Sequence, residues 1–335
     1  MPLDHPFPDP PAPATVLEVA PGIHWIRMPL PFALDHINLW AIEDGDGWVL
    51  VDTGVANDET RTLWTRLLAG RRVSRLVCTH FHPDHMGLAG WLAETTGATL
   101  WATLGEWLYG RMLWLDEADD YRANQLAFYR RAGWDEDMLA ALWGRGNTYR
   151  PRVGAVPTAF HRLRTGDQLS IGGRSWRVMV GEGHAPEHAS LWCAEAGVLI
   201  SGDQVLPRIS PIVGVWPQEP DTDQLGLFLA SLPQFLDLPS DALVLPSHGL
   251  PFRGLHARVE QLLHHHDDRL ARTLAACAEP ATALDVMRAL FRRPLDAWQV
   301  GFATGETLAH LNHLIARGEV QREARADGVW LYRGS

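Results

Sequence analysis

The stretch His80-Phe81-His82-Pro83-Asp84-His85 places three imidazoles and a carboxylate within six residues, a density that favours metal binding. The run before it carries β-branched side chains and predicts a buried strand, so the motif lies at a strand end. His80 and His82 are two residues apart and can face the same way in an extended turn, so both can bind one ion. Asp84 and His85 are expected to point to a neighbouring position that suits a second ion. A histidine-rich surface loop is the alternative.

Four more predicted strands end in residues that can bind a metal. These strands, at residues 48–51, 176–180, 197–200 and 242–245, are followed by Asp52, His184, Asp203 and His248 respectively. A Gly or Pro lies close to each end, as is usual where a strand turns into a loop. In a fold built on sheets such ends converge, and a metal site on loops held by a scaffold requires that convergence.

In order and in type, these motifs resemble the five motifs of the metallo-β-lactamase superfamily. The resemblance covers about residues 15–255 and implies an αββα four-layer sandwich of two mixed sheets flanked by helices. The ligands it implies are His80, His82 and His184 for the first metal, Asp84, His85 and His248 for the second, and Asp203 as a bridge between them. It also implies that Asp52 orients the first motif.

The donor types agree with this ligand set. Nitrogen and oxygen ligands without a thiolate suit two divalent ions, with zinc expected first and manganese or iron as alternatives. Two such ions about 3.5–4 Å apart can share a water and lower its pKa to roughly 7, so the expected nucleophile is a metal-bridging hydroxide. Asp84 is expected to be catalytic as well, holding the hydroxide and passing its proton to the leaving group. His188, four residues after His184, is either a neighbour of the site or a solvent-facing residue.

Composition sets wider limits. The chain has 335 residues, of which 46% are hydrophobic and 21% charged, typical of a soluble protein with one large core and a small extra domain. Its net charge of −11 argues against a general nucleic-acid binder. No apolar run approaches a membrane span, and residues 1–14, an extended lead-in, lack the features of a signal peptide. Three widely spaced cysteines favour reduced thiols, so the cytoplasm is the expected compartment.

Residues 104–150 do not follow a sheet pattern and are predicted to form a helical insertion, with helices at 104–115, 117–132 and 135–143. The insertion precedes His184 in the chain, so it is expected to fold over the site as a lid, with every predicted ligand outside it. Most of its aromatic residues are expected to pack on the sandwich, while a few line a pocket for an apolar acyl group. Arginines weighed as substrate or anion contacts are Arg208, after Asp203, and Arg122, Arg130 and Arg131, for which a solvated position is expected.

Residues 256–335 are predicted to form a linking helix and a small domain that resembles a winged helix. Its expected elements are helices at 255–277, 283–291 and 305–317, and strands at 320–323 and 329–332. His264, His265 and His266 follow one another in the first helix, so they cannot bind one metal together and are expected on the surface. The helix at 305–317 carries one arginine and one glutamate, which makes it a poor DNA reader.

The expected function is hydrolysis by a binuclear metal site, most of all of thioesters of the acyl-CoA or glutathione type. The layout resembles the glyoxalase II side of the superfamily. Alternatives with the same fold are a lactonase and a phosphodiesterase or ribonuclease, and a non-enzyme alternative is a winged-helix nucleic-acid-binding protein. We expect a small-molecule substrate and allow for a homodimer, and we expect neither a nucleic acid nor a membrane as partner.

Overall fold

The computed structural model describes residues 3–13, 15–31 and 34–335, with the backbone alone at positions 297 and 298. Two mixed sheets form its centre. The strands of the first, in spatial and chain order, are β1 (Val16–Ala20), β2 (Ile23–Pro29), β3 (His36–Asp44), β4 (Gly47–Val51), β5 (Arg72–Val77), β6 (Thr99–Ala102) and β7 (His161–Arg162). Strands β1 to β4 pair antiparallel, whereas β4 to β7 run parallel.

The second sheet has the spatial order β12-β11-β10-β9-β8. Its strands are β8 (Gln168–Ile171), β9 (Arg174–Gly181), β10 (His188–Cys193), β11 (Val198–Gly202) and β12 (Leu243–Pro246). Strands β11 and β12 run parallel, and the other neighbours pair antiparallel. In both sheets the parallel pairs put several strand ends at one edge.

Helices cover the outer faces of both sheets. The helices of the sandwich are α1 (Asp58–Leu67), α2 (Pro83–Met86), α3 (Ala89–Thr96), α7 (Gln224–Ser231) and α8 (Leu255–Ala276), with a 3₁₀ helix at Leu232–Asp237. Trp64 and Leu92, on α1 and α3, pack with the first sheet, and Phe228 and Val259, on α7 and α8, pack with the second. This arrangement confirms the predicted αββα sandwich.

Aromatic and β-branched side chains fill the space between the sheets. Trp25 and Trp40 from the first sheet stack at 5.9 Å between ring centroids, and with Trp176 from the second they join one hydrophobic cluster. All three are almost fully buried. Truncating such a side chain to alanine costs roughly 3–5 kcal/mol, so this layer makes a stiff platform for the loops at its edge.

The insertion consists of α4 (Leu104–Leu115), α5 (Asp119–Arg131), α6 (Glu136–Arg145) and a 3₁₀ helix at Arg150–Arg152, close to the predicted helices. One side of it packs on the first metal motif, because Leu113 and Tyr149 share a hydrophobic cluster with Phe81. On another side, Phe128 and Tyr129 pack with the C-terminal residues. The insertion is therefore built into two parts of the molecule.

The C-terminal elements are α9 (Ala283–Leu290), α10 (Ala297–Ala316), β13 (Val320–Ala324) and β14 (Trp330–Gly334). The predicted start of the helix at residue 305 was wrong by eight residues. Gly305 lies inside α10, at a point where its backbone closely approaches another segment. A Cβ there would lie 3.1 Å from the Val215 carbonyl oxygen.

The prediction that His264, His265 and His266 all lie on the surface was wrong. His264 is exposed, but His266 is buried where α8 packs against α10. Its Nδ1 is 3.3 Å from Nε2 of His310, and its Nε2 is 3.3 Å from the Ser210 hydroxyl. Both ring nitrogens therefore have polar partners, which makes burial of this imidazole tolerable.

Part of the predicted lead-in at 1–14 pairs with the sandwich, since Asp4 forms an antiparallel bridge with Arg253. Residues 1, 2 and 14 of that prediction lie outside the described residues. Among the helices that the structure describes, none is long and apolar enough to cross a membrane.

Two helical glycines allow a test of the packing around the metal motif. A Cβ at Gly90 in α3 would lie 1.8 Å from the Ala155 carbonyl oxygen, whereas one at Gly144 in α6 would meet no heavy atom within 4 Å. We expect Gly90→Ala to lower the free energy of unfolding by about 1–3 kcal/mol through overpacking. Gly144→Ala should raise it by about 0.5–1 kcal/mol. Urea unfolding of both variants measures this, and equal effects would contradict the packing described.

Candidate metal centre

All seven predicted ligands lie at one edge of the sandwich, with Asp84 and His85 on the short helix α2 and the other five on loops. The motif at 80–85 follows β5, with Pro83 at the first position of the short helix α2. His184, Asp203 and His248 follow β9, β11 and β12 respectively. Their ligand atoms form three overlapping groups, and within each group the atoms lie within 4.8 Å of one another. The convergence inferred from the sequence is thus present.

The first group consists of three imidazoles. The His80 Nε2 lies 2.9 Å from Nδ1 of His82 and 3.2 Å from Nε2 of His184. One nitrogen cannot serve as both donor and acceptor for two such neighbours at once. A cation bound by all three ring nitrogens would remove this conflict.

The second group is formed by Asp84, His85 and His248, with Asp203 between the two groups. The His248 Nε2 lies 3.2 Å from Asp84 Oδ2, and the His85 Nε2 lies 3.7 Å from the same oxygen. Asp203 Oδ2 is 3.6 Å from Nε2 of both His184 and His248, while its Oδ1 is 3.7 Å from Nε2 of His85. The carboxylate of Asp203 thus reaches ligand atoms of both groups.

These residues fit two divalent ions. Ligand atoms about 2.1 Å from a tetrahedral ion lie roughly 3.4 Å apart, which is close to the separations seen here. His85 Nε2 and Asp203 Oδ1 are buried and have no hydrogen-bond partner within the described structure. A buried polar atom without a partner costs free energy, and coordination would satisfy both.

Two of the predicted ligands, His184 and His248, donate from Nδ1 to a backbone carbonyl. His184 Nδ1 donates to the Ile212 carbonyl at 2.7 Å, and His248 Nδ1 donates to the His36 carbonyl at 3.2 Å. In both rings this leaves Nε2 facing the site with its lone pair free. Such partners fix the tautomer and the ring orientation of a metal ligand.

Asp52 orients the motif at 80–85, as the resemblance implied. Its Oδ2 lies 2.7 Å from Nδ1 of His85, and its Oδ1 accepts from the backbone N–H of Thr79 at 2.8 Å. The Thr79 hydroxyl donates to the same carboxylate and lies 3.0 Å from Nδ1 of His80. One buried carboxylate therefore orients two of the predicted ligands.

The pKa values of the imidazoles differ with their surroundings. Burial and neighbouring imidazoles hold the pKa of His80 and of His82 well below the ordinary value, so these rings are neutral and offer lone pairs. At His85 burial lowers the pKa, but three carboxylates, that of Asp52 first among them, outweigh it and raise the pKa to about 10. An ion bound at His85 has to displace a proton.

His188 belongs to the neighbourhood of the site, and is not a solvent-facing residue. It is fully buried, and its Nε2 accepts from the backbone N–H of Asp203 at 3.0 Å. The four-residue spacing from His184 was a weak signal for this role. The carbonyls of His36 and Ile212 were missed because a backbone acceptor carries no side-chain signature in the sequence. Thr79 was missed because its contacts with Asp52 and His80 depend on tertiary packing.

A small pocket opens beside His184. The residues that line it include the aromatic residues Phe81, Tyr109 and Trp216, and also Glu219 and Gln224. Of the insertion residues, Tyr109 alone is among the described residues that line it. Most insertion aromatics pack in hydrophobic clusters with other elements, as expected.

The four arginines that were considered as substrate or anion contacts do not line this pocket. Arg208 is exposed. Arg130 pairs with Glu136, and Arg122 and Arg131 lie over the rings of Trp143 and Trp330. The three insertion arginines thus have local partners within the protein.

The fold and this site define the class of protein. The sequence profile of the Metallo-beta-lactamase superfamily matches residues 33–248, and that of the Metallo-beta-lactamase-like, C-terminal domain matches residues 270–335. The chain belongs to the metallo-β-lactamase superfamily and is a hydrolase of that family.

Relatives span nearly the whole chain. A beta-lactamase domain protein from Burkholderia ambifaria is 45% identical, with a TM-score of 0.92 over 99% of this chain and 98% of its own. A metallo-beta-lactamase family protein from Thermus thermophilus is 31% identical, with a TM-score of 0.81 over 95% of this chain and 100% of its own. The "Probable metallo-hydrolase YqjP" of Bacillus subtilis (strain 168) is 25% identical over 87% of this chain and 91% of its own.

Metal analysis tests the two groups directly. We expect two divalent ions per chain, and we expect His82→Ala to lower that number to about one, because the first group then keeps two of its three imidazoles. His264→Ala, which removes an exposed histidine outside the site, is the matched control and should keep two. Elemental analysis after dialysis measures the content. Equal metal content in all three proteins would show that the first group does not bind metal.

Proposed function

We propose that this protein hydrolyses thioesters of the acyl-CoA or glutathione type, with two divalent ions held by the seven predicted ligands. The observation that carries the proposal is the lining of the pocket beside His184, which has a volume of only about 20 Å³ in this structure. Three of the residues that line it are aromatic, namely Phe81, Tyr109 and Trp216, and none of the described residues that line it is Lys or Arg. An uncharged acyl group suits such walls better than a phosphate does.

The ions, when bound, lower the pKa of a water molecule and polarise a substrate oxygen. The residues of the chain supply position and proton transfer. Asp84 Oδ2 lies in the second group, 3.2 Å from Nε2 of His248, where it can accept a hydrogen bond from the attacking water. A thiolate leaves easily because the pKa of a thiol is only about 8.5, so a thioester needs little help from an acid.

A lactone is the second candidate, since it offers the same kind of carbonyl to the same site. Phosphodiester hydrolysis and nucleic-acid binding are disfavoured by the net charge of −11 and by the acidic residue Glu219 in the pocket. The glyoxalase II-like branch and a homodimer remain predictions.

The same proposal includes zinc as the native ion and the cytoplasm as the compartment. Zinc is supported by a donor set of imidazoles and carboxylates, which also suits manganese or iron. Cys78, Cys193 and Cys277 are buried free thiols, as expected where the environment is reducing.

A hydrolysis screen tests the proposed function. Metal-loaded protein should cleave thioesters faster than lactones, β-lactams or phosphodiesters. Asp84→Asn should lower kcat on the best substrate by roughly 10²-fold or more, because the amide cannot accept the proton. Faster cleavage of a phosphodiester would overturn the thioester assignment, and an unchanged kcat in Asp84→Asn would remove Asp84 from proton transfer.

Trp216→Ala tests the acyl pocket. We expect KM for the best thioester to rise about tenfold and the preference among acyl groups to flatten, since apolar contacts remote from the reacting carbon supply binding energy. Trp143→Ala is the matched control, because Trp143 is 43% exposed and does not line the pocket. Steady-state kinetics across acyl lengths, with thermal melts of both variants, provide the measurement. Identical acyl rankings in the two variants would contradict the pocket assignment.

A further inference from the structure

The insertion holds the peptide units on either side of Phe81, the residue between His80 and His82. The Glu106 side chain, on α4, is fully buried, and its Oε2 accepts from the Phe81 N–H at 2.9 Å. The Tyr149 hydroxyl, at the end of the insertion, donates to the Phe81 carbonyl at 2.6 Å. The backbone between these two imidazoles is therefore fixed from both sides.

The same carboxylate also holds the loop of His184. Glu106 Oε1 accepts from the Glu187 N–H at 2.6 Å. Two further contacts strengthen this junction, because the Glu187 carboxylate accepts from the Gly105 N–H and the Thr103 hydroxyl donates to the Glu187 carbonyl, each at 2.7 Å. One side chain thus joins the two loops that carry the three imidazoles of the first group.

The second group depends on other partners. His85 is oriented by Asp52, and His248 by the His36 carbonyl. Neither contact involves the insertion. The described contacts therefore assign Glu106 to the first group and leave the second to the sandwich itself.

We propose that Glu106 is a positioning residue that sets the affinity of the group formed by His80, His82 and His184 for its metal ion, with Tyr149 as its partner on the Phe81 carbonyl. This inference rests on the proposed two-metal site. It assigns a role in metal binding to an insertion that contains none of the ligands.

A carboxylate suits this position because both of its oxygens accept a hydrogen bond. Burial raises the pKa of Glu106 to about 8, while the two backbone N–H groups favour the charged form and oppose that rise. A glutamine has nearly the same shape but only one oxygen, so one of the two N–H groups would face an NH₂ group instead. That loss separates the loops without removing volume.

Glu106→Gln tests the proposal, with Glu136→Gln as the matched control. Glu136 lies in the same insertion, is exposed and pairs with Arg130 at 3.3 Å. Zinc titration against a chelator resolves two dissociation constants, and the one lost in His82→Ala identifies the first group. In Glu106→Gln that constant should rise about 10–100-fold, as for other partners of metal ligands. The second constant should stay within about twofold, and the control should match wild type.

Tyr149→Phe removes only the hydroxyl and gives a second test if Glu106→Gln does not fold. It should also raise the dissociation constant of the first group. Unchanged constants in a folded Glu106→Gln, or an equal loss at both groups, would overturn the proposal. Because the readout is zinc affinity, a protein that binds two ions but cleaves no thioester would refute the proposed function and leave this inference standing.

Discussion

The edge of the sandwich that carries the seven predicted ligands depends on one buried carboxylate, that of Asp52. Among the described residues Asp52 is the single non-glycine residue with a positive φ, of 63°. That conformation is unfavourable for an L-residue, by roughly 1 kcal/mol or more. The hydrogen bonds that the Asp52 carboxylate makes with Thr79 and His85 offset this cost. Without this carboxylate, the rings of His80 and His85 would lose their orientation, and the loop after β5 would lose its hydrogen bonds to Asp52.

Another part of the chain supports the predicted ligand His184. Arg258 on α8 donates to the carbonyls of Leu206 and Ile209, and the Gly305 carbonyl on α10 accepts from the Val215 N–H. Between these fixed points lies Ile212, whose carbonyl orients His184. The helices α8 and α10 thus support a predicted ligand, although they are far from His184 in the sequence.

Much of the site was predictable from the sequence, because strand periodicity and ligand types are both local signals. Each predicted ligand follows a predicted strand, and the described structure brings all seven together. What could not be predicted depends on tertiary packing. Glu106 has the same local signature as an exposed helical glutamate, and His266 differs from exposed His264 only in the face of α8 that it occupies. The contacts between the insertion and the first metal motif were missed for the same reason.

The most direct test is a crystal structure of the zinc-loaded protein with anomalous data collected at the zinc edge. Two peaks are predicted, one within about 2.0–2.2 Å of the ring nitrogens of His80, His82 and His184, and one at the same distance from Asp84, His85 and His248. Asp203 should lie between them, with an oxygen in reach of each ion. Ions bound outside these two groups, or a single peak in fully loaded protein, would contradict a binuclear site.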